Sequence, residues 1–269
     1  MLQVIFMTEL LTFSLIIGIS VGVSAGYIGS LMVLEKMALV GDALSHVALP
    51  GLALGILFNF NPFLGAFAFL FASAVIIWHL GRITKLSFET IVGALFTLAL
   101  AIGILIIPQP DLLEALFGDI TKVTLLDTAI ALTVCVMTIF LTKIIFNKIV
   151  LSMISEELAT STGINVARTN LLYLLLVSLV VAIGIKIVGT LLVGFLVVVP
   201  AAAAKNVSSS LFKYSVLSSV FGTISSSSGV LLSNYLRLPA GPLVVLSGIA
   251  IFLGTVLIRW ASRSSTFSL

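Results

Sequence analysis

Long apolar runs separated by short polar breaks fill the whole chain. Leu10 to Leu34 carries no charged residue, and neither does Ala43 to Gly81. Wound as helix, about 20 apolar residues match the hydrocarbon core of a bilayer. In lipid every backbone amide must be paired internally, which leaves helices or a closed barrel. The period-two alternation of a barrel is absent, so the pattern predicts an all-α polytopic membrane protein. Nine spans are expected, at 10–34, 43–59, 62–80, 90–107, 125–146, 167–185, 188–204, 214–236 and 240–258. Asn59-Phe60-Asn61-Pro62 separates the second from the third, and Lys186 with Gly189 separates the sixth from the seventh. Fusing either pair leaves eight spans and inverts everything downstream.

Composition narrows the class further. Of 269 residues, 60% are hydrophobic and 9% charged, against about 25% charged in a soluble domain. No segment is polar enough for a second, soluble domain, so residues 1–269 read as one membrane domain. The first run is too long for a signal-peptide core and lacks a basic leader, which predicts a retained helix. Cys135 is the single cysteine and lies in an apolar run, which excludes a disulfide framework.

Charge gives the orientation. Lys36, Arg82, Lys85, Lys143, Lys148, Arg168, Lys205, Lys213, Arg259 and Arg263 follow odd-numbered spans; only Lys122, Lys186 and Arg237 follow even ones. Basic loops stay in the cytoplasm, so the N-terminus is expected outside and the C-terminus inside. Residues 108–127 then form an outer loop bearing Asp111, Glu114, Asp119 and Asp127 against Lys122. It is either a solvated loop or a docking face for an extracytoplasmic partner.

The chemistry concentrates in Gly41-Asp42-Ala43-Leu44-Ser45-His46-Val47-Ala48-Leu49-Pro50-Gly51. Ionisable groups inside a membrane segment mark pathways or sites. Asp42, His46 and Pro50 are spaced four apart and share one helix face. Proline has no amide hydrogen, so the carbonyl of His46 loses its helical partner. Carboxylate, imidazole and free carbonyl together suit a divalent first-row metal. The alternative has Asp42 capping the second helix and His46 as a satisfied buried histidine. Ser45 lies about 100° away around the helix. Glu9, at the outer start of span one, is an entrance ligand or a plain boundary residue. His79, beside Trp78 and Arg82, reads as interfacial.

Two further segments stand out. Ser155-Glu156-Glu157 has a cap followed by first-turn acids, and Gly163 is placed to end a short cytoplasmic helix over 156–163. It reads as a connector or as a helix held against a partner. Val188 to Ala204 is a second apolar segment interrupted by a proline, Pro200. Helix breaks near Pro50 and Pro200, in opposite halves of the chain, fit the broken helices of transporters. Gly222 and Ser225 to Gly229 predict close helix packing. No phosphate-binding loop and no hydrolase or metalloprotease motif is present, so the chain is not expected to be an enzyme or to hydrolyse ATP itself. No basic, aromatic-lined groove points to nucleic acid.

Gly41 to Gly55, Gly-Asp-Ala-Leu-Ser-His-Val-Ala-Leu-Pro-Gly-Leu-Ala-Leu-Gly, resembles the signature of the permease subunit of bacterial ABC importers for zinc, manganese or iron(II). Lys186 to Ala204 is similar to that family's second signature, and Glu157-x-Ala159-x-x-x-Gly163 to the loop that such permeases dock into their ATPases. The resemblance covers about Met32 to the C-terminus. It implies a bacterial-type cytoplasmic membrane, a homodimer of this subunit, two cytoplasmic ATP-binding subunits and an extracytoplasmic metal-binding protein. It further implies no permanent cofactor, a transported divalent metal ion, Asp42 and His46 in its path, and Glu156, Glu157, Ala159 and Gly163 at the ATPase. The rival readings are a proton-coupled secondary metal transporter with Asp42 as proton carrier, an intramembrane metalloenzyme, and a permease for iron chelates or cobalamin.

Overall fold

A computed structural model describes residues 2–84, 86–107, 115–118, 123–190 and 192–264. Among the described residues, besides a short helical stretch at 115–117, ten helices follow one another: α1 Leu2–Leu34, α2 Ala38–Leu57, α3 Pro62–Ile83, α4 Phe88–Ile106, α5 Leu125–Ile154, α6 Glu156–Ser161, α7 Val166–Val188, α8 Val193–Val207, α9 Leu211–Leu236 and α10 Ala240–Ser264. Among the described residues there is no strand.

Local chemistry sets most helix starts. Asn61 caps α3 ahead of Pro62, Ser87 caps α4, Ser155 caps α6, Asn165 caps α7 and Ser210 caps α9. Thr124 and Asp127 form a reciprocal capping box at α5. Among the described caps, only Met37 of α2 and Leu192 of α8 give no side-chain hydrogen bond. Those two helices carry the internal prolines.

Among the described residues eight helices are long and apolar enough to cross a membrane, and α8, at 15 residues, is shorter. Its length of about 22 Å falls short of a bilayer core. The expected nine crossings therefore resolve into eight full helices and one half-length helix, α8. Ahead of α8, Gly189 has φ +81, and Thr190 donates from both N and Oγ1 to the Ala115 carbonyl, each at 3.0 Å. The fifth crossing also differs. It runs to Ile154 rather than 146, because Lys143 and Lys148 are good helix formers and nothing breaks the helix before Ser155.

Helices in lipid associate through close packing and a few hydrogen bonds rather than by hydrophobic exclusion. α1 and α9 meet along small residues; Ser30 donates to Ser215 at 3.1 Å, and Ser218 to the Gly26 carbonyl. Each such bond contributes about 0.6 kcal/mol. In the apolar window of α2, 78% is buried, against 22% in α4 and 28% in α5. The helix with the candidate chemistry thus sits at the centre of the bundle. At one end lie α6 and the turns at 35–37 and 208–210; Trp78 Nε1 there donates to the Ala167 carbonyl at 2.7 Å. The opposite end holds the 58–61 turn and Gly189 with Thr190.

Candidate functional site

α2 begins at Ala38, not at 43. Asp42 therefore lies one turn inside the helix, and Met37, not Asp42, is its cap. The capping alternative for Asp42 does not hold. His46 stands about 12 Å along the axis from Ala38 and about 16 Å from Leu57, close to the middle of the helix.

His46 is 6% exposed, and its Nδ1 is buried without a hydrogen-bond partner. The ring meets Phe96 of α4 edge-on, with centroids 5.1 Å apart. An orphaned buried nitrogen costs about 1–3 kcal/mol of desolvation, and such a group calls for a specific explanation. Asp42, one turn earlier, is half-buried, and among the described residues no lysine or arginine pairs with it. Ser45 is occupied elsewhere, donating to the Asp42 carbonyl at 2.6 Å. Pro50 is buried inside α2, which continues past it. The break expected there is a missing amide donor to the His46 carbonyl, not an interrupted helix.

α8 closes the other side of this stripe. A Cβ placed on Gly194 would stand 2.8 Å from both the backbone N and the Oδ1 of Asp42. The start of α8 thus touches α2 at the carboxylate. Pro200 is buried inside α8, and the interruption in this segment falls ahead of it, at 189–192.

α6 hangs from the end of α5. The Ser155 hydroxyl accepts from Leu158 N at 3.1 Å, which caps it. Ile164 N donates to the Ala159 carbonyl and Gly163 N to the Thr160 carbonyl, both at 3.0 Å, with Gly163 at φ +82. This is a Schellman termination, which needs a left-handed residue after the helix. Ala159 is fully buried against the bundle, while Glu156 and Glu157 face outward. The expected limits of 156–163 hold as a helix over 156–161 plus its glycine terminator.

Similarity to known proteins covers nearly the whole of this arrangement. The model of the ABC 3 transport family matches residues 7–259. The chain belongs to that family. It is 32% identical over 243 residues to the manganese transport system membrane protein MntC of Listeria monocytogenes, covering 89% of this chain and 87% of MntC. It is 31% identical over 246 residues to the high-affinity zinc uptake system membrane protein ZnuB of Buchnera aphidicola, covering 89% and 94%. The solved structure of PsaBC from Streptococcus pneumoniae in complex with Fab superposes with a TM-score of 0.81 at 32% identity, over 91% of this chain and 90% of that one.

Within this ABC 3 transport protein, several expected residues stand apart from the stripe. Glu9 is exposed on α1. Asp42 lies near the level of Met32, which meets Gly41, so about 30 Å of helix separates Glu9 from the pair. His79 is exposed beside Trp78, over which Arg82 stacks at 5.0 Å. Asp111, Glu114, Asp119 and Lys122 lie outside the described residues. Asp127, the remaining acid of that loop, pairs with Lys186, whose ammonium also sits 5.0 Å over Phe63. That acid is engaged within the bundle.

Two residues of the family member escaped the sequence reading. Glu35, in the turn after α1, has a buried Oε2 with no partner, and burial pushes its carboxyl up to about 7. At a span boundary a glutamate reads as solvated, so no signal marked it. Gly194 is one of 21 glycines, and nothing in its neighbours shows that α8 meets Asp42 there.

Proposed function

We propose that this chain is the membrane-spanning subunit of an importer for a divalent transition metal, manganese or zinc, driven by separate ATP-binding subunits. The observation that carries the reading is the buried, unpartnered Nδ1 of His46, one turn from Asp42 on the central helix. A cation in transit supplies what that nitrogen lacks, and the carboxylate replaces part of its hydration shell. The printed names of the relatives, manganese transport and zinc uptake, support the same cargo. Membership of an ABC transport family disfavours the proton-coupled alternative.

Among the described residues no group of three or more His, Cys, Asp or Glu side chains comes together. One chain thus offers two side-chain ligands, suited to transit rather than storage. A second copy placing the same pair near a shared axis doubles the set. The α6 end faces the cytoplasm in this reading, in accord with Lys36, Arg82, Lys148, Arg168, Lys205, Lys213 and Arg259 clustering toward it. The ATP-binding subunits engage Glu156 and Glu157 there. Displacement of α6 passes through α7 and Gly189 to α8, which lies against Asp42. An extracytoplasmic metal-binding protein delivers the ion at the opposite end, and alternating access moves it inward. The membrane is the bacterial cytoplasmic membrane.

The test is the metal content of cells with and without this chain, its ATP-binding subunit present in both. Loss of manganese or zinc accumulation on deletion is expected. Unchanged content of both metals, with normal growth in metal-poor medium, overturns the proposal.

A further inference from the structure

α8 comes against Asp42 at a glycine. A Cβ on Gly194 would fall 2.8 Å from the Asp42 amide nitrogen and 2.8 Å from Oδ1. Real side-chain carbons do not come so near, so any larger residue must move α8 or the aspartate. The approach is made by the start of a helix. α8 begins at Val193, and its cap, Leu192, offers no side-chain acceptor. First-turn amides carry partial positive charge and favour a nearby anion. Among the described residues no lysine or arginine pairs with Asp42, and the start of this helix stands against it. A second observation points to a ligand in the same place: His46 Nδ1, in a residue 6% exposed, is unpartnered one turn along the stripe.

We propose that Gly194 is a positioning residue of the cation path: by lacking a side chain it lets the start of α8 close on α2, and so fixes where the Asp42 carboxylate stands. The inference rests on the reading of Asp42 as a cargo ligand. A metal held by few ligands is sensitive to their placement, and disturbing a group that orients a ligand costs about 10- to 100-fold in affinity. Gly194→Ala acts through Asp42 without touching the cargo.

The test uses the assembled transporter in membrane vesicles, with Mn²⁺ and Zn²⁺ as separate probes. Gly194→Ala is expected to raise the half-saturating metal concentration roughly 10- to 100-fold, with assembly and basal ATP hydrolysis retained. Gly229→Ala is the packing control. Its Cβ would meet Val244 N at 2.5 Å, on the contact between α9 and α10, and half-saturation should stay unchanged. An unshifted value for Gly194→Ala, or equal shifts for both variants, overturns the inference. Asp42→Ala runs in parallel. Normal uptake by that variant overturns the reading of Asp42 as a cargo ligand, whereas its loss with an unshifted Gly194→Ala overturns only the role of the glycine. Should Gly194→Ala fail to assemble, paired Gly41→Cys and Val197→Cys in a Cys135→Ser background report the same approach of α8 to α2, since a Cβ on Gly41 would stand at an ordinary 3.6 Å from a Val197 methyl. A disulfide under mild oxidation supports it, and its absence contradicts it.

Discussion

At the residue scale, position inside the bundle decides what each polar group can do. Asp42 and His46 were legible as a pair because four-residue spacing fixes a shared face before anything else is known. Their depth was not legible. Ala38-Leu39-Val40-Gly41 contains no capping residue, so helix α2 reads from the sequence as starting later than it does. Starting at Ala38, it carries His46 to mid-helix, the depth at which the proposed cation path needs a ligand. Glu35 shows the converse case. Its carboxyl is held near 7, against 4.5 for an ordinary glutamate, by burial without a partner. The folded state therefore binds this proton more tightly than the unfolded chain. Stability from that proton is complete below about pH 4.5 and is lost as pH rises through 7. Glu35→Gln removes the penalty. Its melting temperature in detergent should exceed that of the parent at pH 8, by an amount reflecting up to about 3 kcal/mol, and match it near pH 4.5. Equal melting temperatures at pH 8 would show that Glu35 carries no such penalty.

At the element scale, the informative helices are the ones that break the bilayer rule. α5, with 30 residues, extends about 45 Å, carrying α6 beyond the apolar layer. α8 is too short to cross, and ahead of it Gly189 adopts φ +81. The sequence marked both places, through Ser155-Glu156-Glu157 and through Gly189 with Pro200. Its proline signal pointed past the true interruption, because a helix tolerates proline once the carbonyl a turn earlier can forgo its amide. α6 makes a direct prediction. Gly163 sits at φ +82, which proline cannot adopt, so Gly163→Pro re-aims α6 while the spans remain. With its ATP-binding subunits the variant should keep hydrolysing ATP while metal transport falls about tenfold or more, the range of ordinary coupling energies. Glu157→Ala should do the same more mildly. Transport and hydrolysis that stay in their normal ratio would make α6 a connector only.

At the scale of the whole molecule, the all-helical class came from hydropathy alone and holds, while among the described residues eight helices rather than the expected nine are long and apolar enough to cross, α8 being too short. Packing was far less legible. Which helices lie at the centre depends on contacts such as Ser30 with Ser215 and Ser218 with the Gly26 carbonyl, which join residues far apart in sequence. The burial of α2 among more exposed neighbours follows from those contacts rather than from its composition. Orientation, by contrast, is a charge argument and can be checked alone. In a Cys135→Ser background, a membrane-impermeant maleimide applied from outside should label Arg237→Cys and spare Lys213→Cys, both on exposed positions. The reverse pattern would invert the transporter.

One measurement bears on all three scales. Cells carrying the intact importer, or its Asp42→Ala or His46→Ala variant, are loaded with trace manganese and zinc, and accumulated metal is counted alongside the amount of assembled complex. The expected result is normal assembly of both variants and metal uptake no higher than in cells lacking the chain. Uptake at the parental rate by both assembled variants would contradict the placement of the cation path on α2.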